Sequence, residues 1–425
     1  MKIELPRYQS FQPTGWEWLP ELPAEWEGLG LTRRIERIVD YRGATPEKVD
    51  DGTFLITAKN VRNGQIDYAI STEYVATEAL ETIMRRGKPR LGDLLLTMEA
   101  PLGEVANIDR EDIALAQRLV KIRPKSKFFS PYFLKYWMMS VPFRQHIKTH
   151  GTGSIAVGIK ASKLHLLRVV QPPRDVQDAI VTFLDRETAK IDRLMAVRQK
   201  QVERLQEQRT AVIHHAVTKG LDPHAKLKPS GVEWLGNIPK AWRMYRLKFT
   251  AKIKNGQDYK LVESDSGYPV MGSGGQFSYA NAYMHDGESV LFGRKGTINK
   301  PLYMNERFWT VDTMFYTQIK PVIVPKFLYY CAIGFPFEYY STQTALPSMT
   351  QQDIGNHPLA VPSVDEQQRI ITYIETETAK LDTLISKYAR ELDLLAEYRA
   401  SLISHAVTGK IDVRGLVEPS PSDAP

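Results

Sequence analysis

Residues 177–222 read QDAIVTFLDRETAKIDRLMAVRQKQVERLQEQRTAVIHHAVTKGLD, and residues 367–412 read QQRIITYIETETAKLDTLISKYARELDLLAEYRASLISHAVTGKID. The two stretches align without a gap at a constant offset of 190, and 18 of the 46 positions are identical. The sharpest blocks are Glu187-Thr188-Ala189-Lys190 against Glu377-Thr378-Ala379-Lys380, and His215-Ala216-Val217-Thr218 against His405-Ala406-Val407-Thr408. Register held over this length marks an internal duplication, and it governs how the rest of the chain is read. A second duplication precedes each copy. Residues 14–26 (TGWEWLPELPAEW) match residues 230–242 (SGVEWLGNIPKAW) at an offset of 216. Gly15, Glu17, Trp18, Leu19, Pro23 and Trp26 recur there as Gly231, Glu233, Trp234, Leu235, Pro239 and Trp242. The two offsets differ by 26, so the segment between the motifs is 26 residues longer in the first copy. Those middles do not align. The order is variable unit, shared segment, variable unit, shared segment.

The shared segments carry helical periodicity. In the second, apolar or aromatic residues fall at Leu381, Leu384, Tyr388, Leu392, Leu395, Tyr398 and Leu402, a mean spacing of 3.5. That spacing is the seam of a left-handed coiled coil. Lys380, Asp382, Lys387, Arg390, Glu391, Glu397 and Arg399 suit a solvated face. The first copy is weaker: Leu184, Ile191, Leu194, Val202, Leu205, Val212 and Ala216, with Arg198 interrupting. Each helix is expected to begin after a proline turn, Pro172-Pro173 and Pro362-Ser363, and to stop near Gly220 or Gly409. About 44 residues at 1.5 Å each make a rod of roughly 65 Å, comparable to about twenty base pairs. Two such helices in one chain can pair antiparallel. Packing of each helix on its own domain, or binding of a helical partner, remains open on periodicity alone.

The variable units are rich in short β-like runs broken by Gly, Pro, Asn and Asp. Examples lie at residues 53–58 (TFLITA), 94–97 (LLLT), 289–292 (SVLF) and 315–319 (FYTQI). Each unit also holds a short aromatic helix candidate, residues 131–139 and 325–332. An α+β domain is expected for each. Cations cluster in segments that read as loops: Arg85, Arg86, Lys88 and Arg90; Arg294 and Lys295; Lys248, Lys252 and Lys254; and Lys59 and Arg62 with Asn60 and Asn63. Such loops can place Arg and Asn on base edges and Lys on phosphates.

Composition bounds the rest. The chain has 425 residues, 56 Lys+Arg against 49 Asp+Glu, a formal net charge of +7 and a pI near 9.1. A modest basic excess suits a polyanionic partner. The lone Cys331 rules out a disulfide framework and a Cys-based zinc site. No apolar run reaches the roughly 18 residues of a membrane span, and the N-terminus lacks the apolar core of a signal peptide, so a cytoplasmic location is expected. No phosphate-binding G-x-x-x-x-G-K-[ST] loop, dinucleotide fingerprint, H-E-x-x-H helix, G-x-S-x-G elbow or amino-methyltransferase tetrapeptide is present. A self-sufficient enzyme is the less favoured class.

These motifs together resemble the specificity subunit of type I restriction–modification systems over nearly the whole chain. The residues that carry the resemblance are 230–242 and its degenerate first copy, 41–46 (YRGATP), 92–97 (GDLLLT), 293–298 (GRKGTI), 309–316 (WTVDTMFY), 361–370 (VPSVDEQQRI) and 404–412 (SHAVTGKID). The resemblance implies two globular target recognition domains joined by two long helices in an antiparallel, pseudo-twofold coiled coil. It implies an N-terminal segment 1–25, recognition domains 26–168 and 223–360, helical regions 169–222 and 361–412, and a disordered tail 413–425. It implies that each domain reads half of a split double-stranded DNA site and that the helices set the spacing. It implies two modification subunits, which use S-adenosylmethionine, and restriction subunits, which use ATP and Mg2+. No catalysis and no cofactor are expected in this chain. The expected DNA-contacting residues are Lys59, Asn60, Arg62, Arg85, Arg86, Arg118, Thr152 and Ser154 in the first unit. In the second they are Asn255, Gln257, Ser273, Arg294, Lys295 and Ser348. One departure stands out: Val176 takes the place of the glutamate found as Glu366 in the second copy. The rival readings are a stand-alone DNA-binding regulator and an enzyme of unrecognised chemistry.

Overall fold

A computed structural model describes residues 6–41, 46–153, 157–340 and 347–416. The two duplicated segments are long helices, Arg174–Lys219 and Val364–Val407. Each begins directly after its proline turn. Gly220 and Gly409 follow the ends with φ of 75° and 72°, the left-handed conformation that stops a helix. The chain divides into two compact units. One holds the residues up to Val197 with those from Glu391 onward, and the other is Arg198–Arg390. Both boundaries fall inside a long helix, so each unit contains part of each copy.

The variable middles share one topology despite their unlike sequences. In the first unit a four-stranded antiparallel sheet runs in the order Val105–Asn107, Leu94–Thr97, Leu119–Pro124, Ile35–Asp40. In the second the order is Leu302–Asn305, Glu288–Gly293, Met314–Ile319, Ala251–Asn255. Each of the four strands holds the same place in chain order in both units. A smaller mixed sheet recurs too. Thr53–Ile56 pairs parallel with Ile113–Leu115 and antiparallel with Tyr74–Val75. Tyr268–Gly272 pairs parallel with Trp309–Thr310 and antiparallel with Gly275–Ala280. Leu94–Thr97 is buried along its length, which is why it reads as an unbroken apolar run. The aromatic helices form as Pro131–Met139 and Pro325–Ile333, each with proline in its first turn.

A buried glutamine ties each aromatic helix to its long helix. Gln177 is fully buried. Its Nε2 donates to the carbonyls of Phe128 and Pro172 at 2.8 and 2.9 Å, and its Oε1 accepts from the Ser130 amide at 2.9 Å. Gln367, its repeat counterpart, donates to Val322 and Pro362 at 3.1 and 3.0 Å and accepts from Val324 at 2.7 Å. Ser130 and Val324 are the residues that precede the two aromatic helices. The copies differ one residue earlier. Glu366 accepts from Trp242 Nε1 at 2.9 Å. Val176 is buried instead, and Trp26 lies edge-on to Tyr8 with no carboxylate partner on its indole nitrogen.

The long helices pair antiparallel within each unit. In the first, Arg186 reaches the carbonyl of Leu416, and Asp192 reaches Arg399 at 2.8 and 3.2 Å. In the second, Arg198 lies over the Tyr388 ring at 4.9 Å, and Arg209 bonds Asp382 at 2.8 Å. Under the offset of 190, Asp192 corresponds to Asp382 and Arg209 to Arg399. The same Asp–Arg contact is therefore made twice, each time between one copy and the other.

The expected seam needs correction. Leu384 and Tyr398 are 40% and 55% exposed, whereas Ile385 and Arg399 are half-buried. Leu194 of the first copy is exposed as well. Arg198 does not interrupt the seam, because its guanidinium stacks on an aromatic ring. Arg399 is not on a solvated face, because Asp192 offsets its charge. Among the described residues no helix is long and apolar enough to cross a membrane.

The repeated tryptophan Trp18 or Trp234 stacks on a histidine in each unit, but different elements supply the ring. Trp18 meets His146, in helix Val141–Thr149, at 4.5 Å. Trp234 meets His357, just after helix Gln351–Asn356, at 5.1 Å. His357 also stacks on Phe335 at 3.6 Å, and its Nδ1 lies 2.8 Å from the Tyr340 hydroxyl. Burial pushes His357 down to about 3 and holds His146 below the usual histidine range.

Gln367→Leu is expected to cost about 1–3 kcal/mol in urea unfolding, because a buried amide N–H and two carbonyls lose their partner. The folded state holds His357 neutral, whereas the unfolded state protonates it near pH 6.5. Its contribution is therefore complete above about pH 6.5 and declines by about 1.4 kcal/mol per pH unit as pH falls toward the folded value. His357→Phe is expected to remove about one proton from the pH dependence of the urea midpoint.

Candidate nucleic-acid interface

In the second unit one end of the large sheet gathers every expected residue. Strand Ala251–Asn255 ends with Asn255 opposite Phe315, and strand Glu288–Gly293 ends with Gly293 opposite Met314. Beyond these ends the Gly256 amide donates to Met314 and that of Gln257 to Thr310, at 3.0 and 2.9 Å. The Arg294 amide donates to Thr313 at 2.8 Å, and its carbonyl accepts from Met349 at 3.0 Å. Lys295 bridges Ser348 through the backbone, and the Ser273 hydroxyl sits against Gly296. Two glycines are required by this crowding. A Cβ on Gly256 would lie 2.0 Å from the Val311 carbonyl oxygen, and one on Gly293 would lie 2.3 Å from that of Thr297. Asn255, Gln257 and Lys295 are exposed; Ser273, Arg294 and Ser348 are half-buried. The Arg294 guanidinium donates to the Asp312 carbonyl at 3.2 Å and lies 6.0 Å from the centre of the Phe315 ring. One of its five N–H groups is engaged there, and four remain for a ligand.

The first unit builds the corresponding end with other residues. The Met98 amide donates to Arg118 and its carbonyl accepts from Ile159, both at 2.9 Å, matching the two bonds of Arg294. Glu99 bridges Gly158, which exchanges two backbone bonds with Thr152. Where the second unit has Lys295, the first has Glu99, which pairs with Arg118 at 3.0 Å. Lys59 and Arg62 line a cleft with Pro101 and Glu104, and the Asn63 amide donates to Glu104. Arg85 and Arg86 are exposed, and an N–H of Arg86 donates to the Asp40 carbonyl, at the end of strand Ile35–Asp40. The described chain has three non-glycine residues at positive φ: Asn63 at 52°, Ala100 at 43° and Arg118 at 77°. All three lie in these loops. Backbone held in sparsely populated regions concentrates where function demands a fixed shape.

One expected residue is corrected. Asn60 is fully buried and does not face a ligand. Its Oδ1 accepts from the Thr57 amide and hydroxyl at 2.9 and 2.8 Å, while its Nδ2 donates to the carbonyls of Asp67 and Ser71 at 2.9 and 2.8 Å. It shapes the loop that carries Lys59 and Arg62. Ser154 lies outside the described residues. The segment 98–103 was not legible as part of the site, because its role comes from a strand order that the sequence does not display. Phe277 was also missed. It is 54% exposed beside Gly272, next to the Ser273 turn, and a single exposed aromatic gives no signal in sequence.

Comparison with known proteins bears on this architecture. Residues 239–392 match the family model of the type I restriction modification DNA specificity domain. The MjaVIII type I restriction enzyme specificity subunit of Methanocaldococcus jannaschii is 22% identical over 435 residues, covering 93% of this chain and 95% of the relative. The EcoKI specificity subunit of Escherichia coli K12 is 20% identical over 445 residues, covering 96% and 91%. Residues 239–392 are thus similar to a type I restriction–modification DNA specificity domain, and the chain is similar over nearly its whole length to specificity subunits. A solved chain from a study of complex assembly and conformational transition of the type I R-M system has the same fold. It matches at a TM-score of 0.69 with 16% identity, over 92% of this chain and 99% of that chain.

Asn60→Ala is expected to cost about 1–3 kcal/mol in urea unfolding, since four buried hydrogen bonds lose their partner. A residue serving only to touch DNA would be silent in that assay.

Proposed function

We infer that this chain is the DNA-recognition subunit of a type I restriction–modification complex, each unit reading one half of a bipartite site through the loops at the end of its large sheet. The observation that supports this reading most is the repeated frame with unlike loop residues. Arg294, Lys295 and Ser348 occupy in one unit the places that Met98, Glu99 and Gly158 occupy in the other. Two different half-sites require that arrangement: one scaffold, two sets of base-facing groups. The Arg side chains suit guanine edges, while Lys, Thr and Ser suit phosphates.

The finer assignments rest on the same reading. The continuous helices Arg174–Lys219 and Val364–Val407 set the distance between half-sites and offer their exposed faces to two methyltransferase subunits. Methyl transfer from S-adenosylmethionine to adenine belongs to those subunits. ATP and Mg2+ belong to the restriction subunits, and the complex works on DNA in the cytoplasm.

Long-read methylome sequencing of a host expressing this chain with its neighbouring modification subunit tests the proposal. A split adenine-methylated motif that vanishes when the chain is deleted is the expected outcome. A methylome unchanged by deletion, with both proteins expressed, would favour the stand-alone regulator. Arg294→Ala is expected to lose about 1–3 kcal/mol of affinity for the motif and to relax one position of one half-site. A change confined to the salt slope would make it a phosphate contact.

A further inference from the structure

The basic segment 85–90 (RRGKPR) is held from beneath by its own backbone. Three successive carbonyls accept from side chains rooted in or next to the large sheet. Arg37 donates to the Arg86 carbonyl, the Tyr41 hydroxyl to that of Gly87, and Lys121 Nζ to that of Lys88. At the far end the Arg90 amide donates to Asp93 at 3.0 Å. Asp93 in turn joins Lys121 at 3.0 Å and Arg123 through two bonds of 2.7 and 2.6 Å. Lys121 is 1% exposed and Asp93 3%. With its carbonyls drawn inward, the segment leaves Arg85, Arg86, Lys88 and Arg90 exposed. The Arg86 bond to the last residue of strand Ile35–Asp40 puts it at the same sheet end as Arg118.

Stability gives little reason for such a network. A buried lysine and a half-buried arginine against one buried carboxylate carry a desolvation cost that their attraction does not reliably offset. In the second unit the register places of Asp93 and Lys121 are held by the uncharged Ser289 and Tyr316. There Ser289, one residue into its strand, exchanges hydrogen bonds with Thr317. The charged version occurs in the unit whose neighbouring loop carries four cations. Burial pushes Asp93 up, but Arg123 and Lys121 outweigh it and hold the carboxyl below its usual range. Burial likewise holds Lys121 below the usual lysine range, an effect that Asp93 opposes.

We propose that Lys121 and Asp93 are positioning residues that pre-organise the 85–90 segment, so that its cations meet the DNA of the first unit's half-site without ordering cost. The proposal rests on the reading of the chain as a DNA-recognition subunit. It adds a specificity role for two groups that never touch the ligand. Pre-organisation of this kind raises affinity by removing the entropy of immobilising a loop and its long side chains.

The test uses the full chain with its modification subunit and labelled duplexes carrying the methylated motif, each half-site mutated in turn. Lys121→Met is expected to weaken binding to the intact motif about tenfold. It is also expected to blunt discrimination at the first unit's half-site while leaving that at the second unchanged. Hydrogen exchange of the Arg86, Gly87, Lys88 and Arg90 amides is expected to accelerate in the same variant. Tyr41→Phe, which removes only the bond to Gly87, is expected to show a smaller effect of the same kind, and it serves if Lys121→Met does not fold. Faster exchange with unchanged affinity and discrimination would overturn the proposal. So would unchanged exchange, or equal loss at both half-sites, which marks a merely structural role. If the unmodified complex binds no motif better than random duplex, the DNA-recognition reading itself fails, a result separate from these.

Discussion

A buried primary amide must find partners, and in this fold it finds them in one place. Gln177 and Gln367 are each sealed from water at the start of a long helix. Each spans the carbonyl that closes its proline turn and the backbone that leads into an aromatic helix. An unpaired amide there would cost more than most single contacts return. The bond set therefore fixes the angle at which a variable unit leaves its helix. Everything beyond it, the four-stranded sheet and the loops at its end, inherits that orientation. Because the glutamine belongs to the duplicated segment, both units inherit it alike.

The duplication then allows the copies to diverge where nothing is shared. Glu366 bonds Trp242, while the first copy seats Val176 beside an unpartnered Trp26. Trp18 and Trp234 keep their places, yet their stacking histidines come from different elements. Asp93 joins Lys121 and Arg123 in one unit, whereas its register counterpart Ser289 bonds the neutral Thr317 in the other. In each case a common scaffold position is kept and its chemistry changed. One frame thereby carries two different sets of groups.

Much of the site was legible as composition and little of it as geometry. Cations near glycines marked the loops at residues 59–63, 85–90 and 294–296, because such segments avoid the apolar periodicity of strands and helices. Composition does not say which polar side chain faces outward. Asn60 lies in the same turn as Lys59 and Arg62, but its amide both donates and accepts, and the turn consumes it. Periodicity likewise located the coiled-coil seam and then misplaced Leu384 and Tyr398 on it. One position of phase separates Leu384 from Ile385, and only the facing helix chooses between them.

The sequence by itself determined the duplication, the two helices with their proline starts and glycine stops, and the family likeness. These depend on local rules: residue spacing, backbone dihedral preference and repeated identity. Tertiary structure alone decided that the unlike middles share one strand order. It decided that Asp192 meets Arg399 just as Arg209 meets Asp382, and that Lys121 holds the 85–90 segment from below. Those contacts join residues far apart in the chain. Their energies depend on burial and on which partner arrives, and neither is written into any local stretch of sequence.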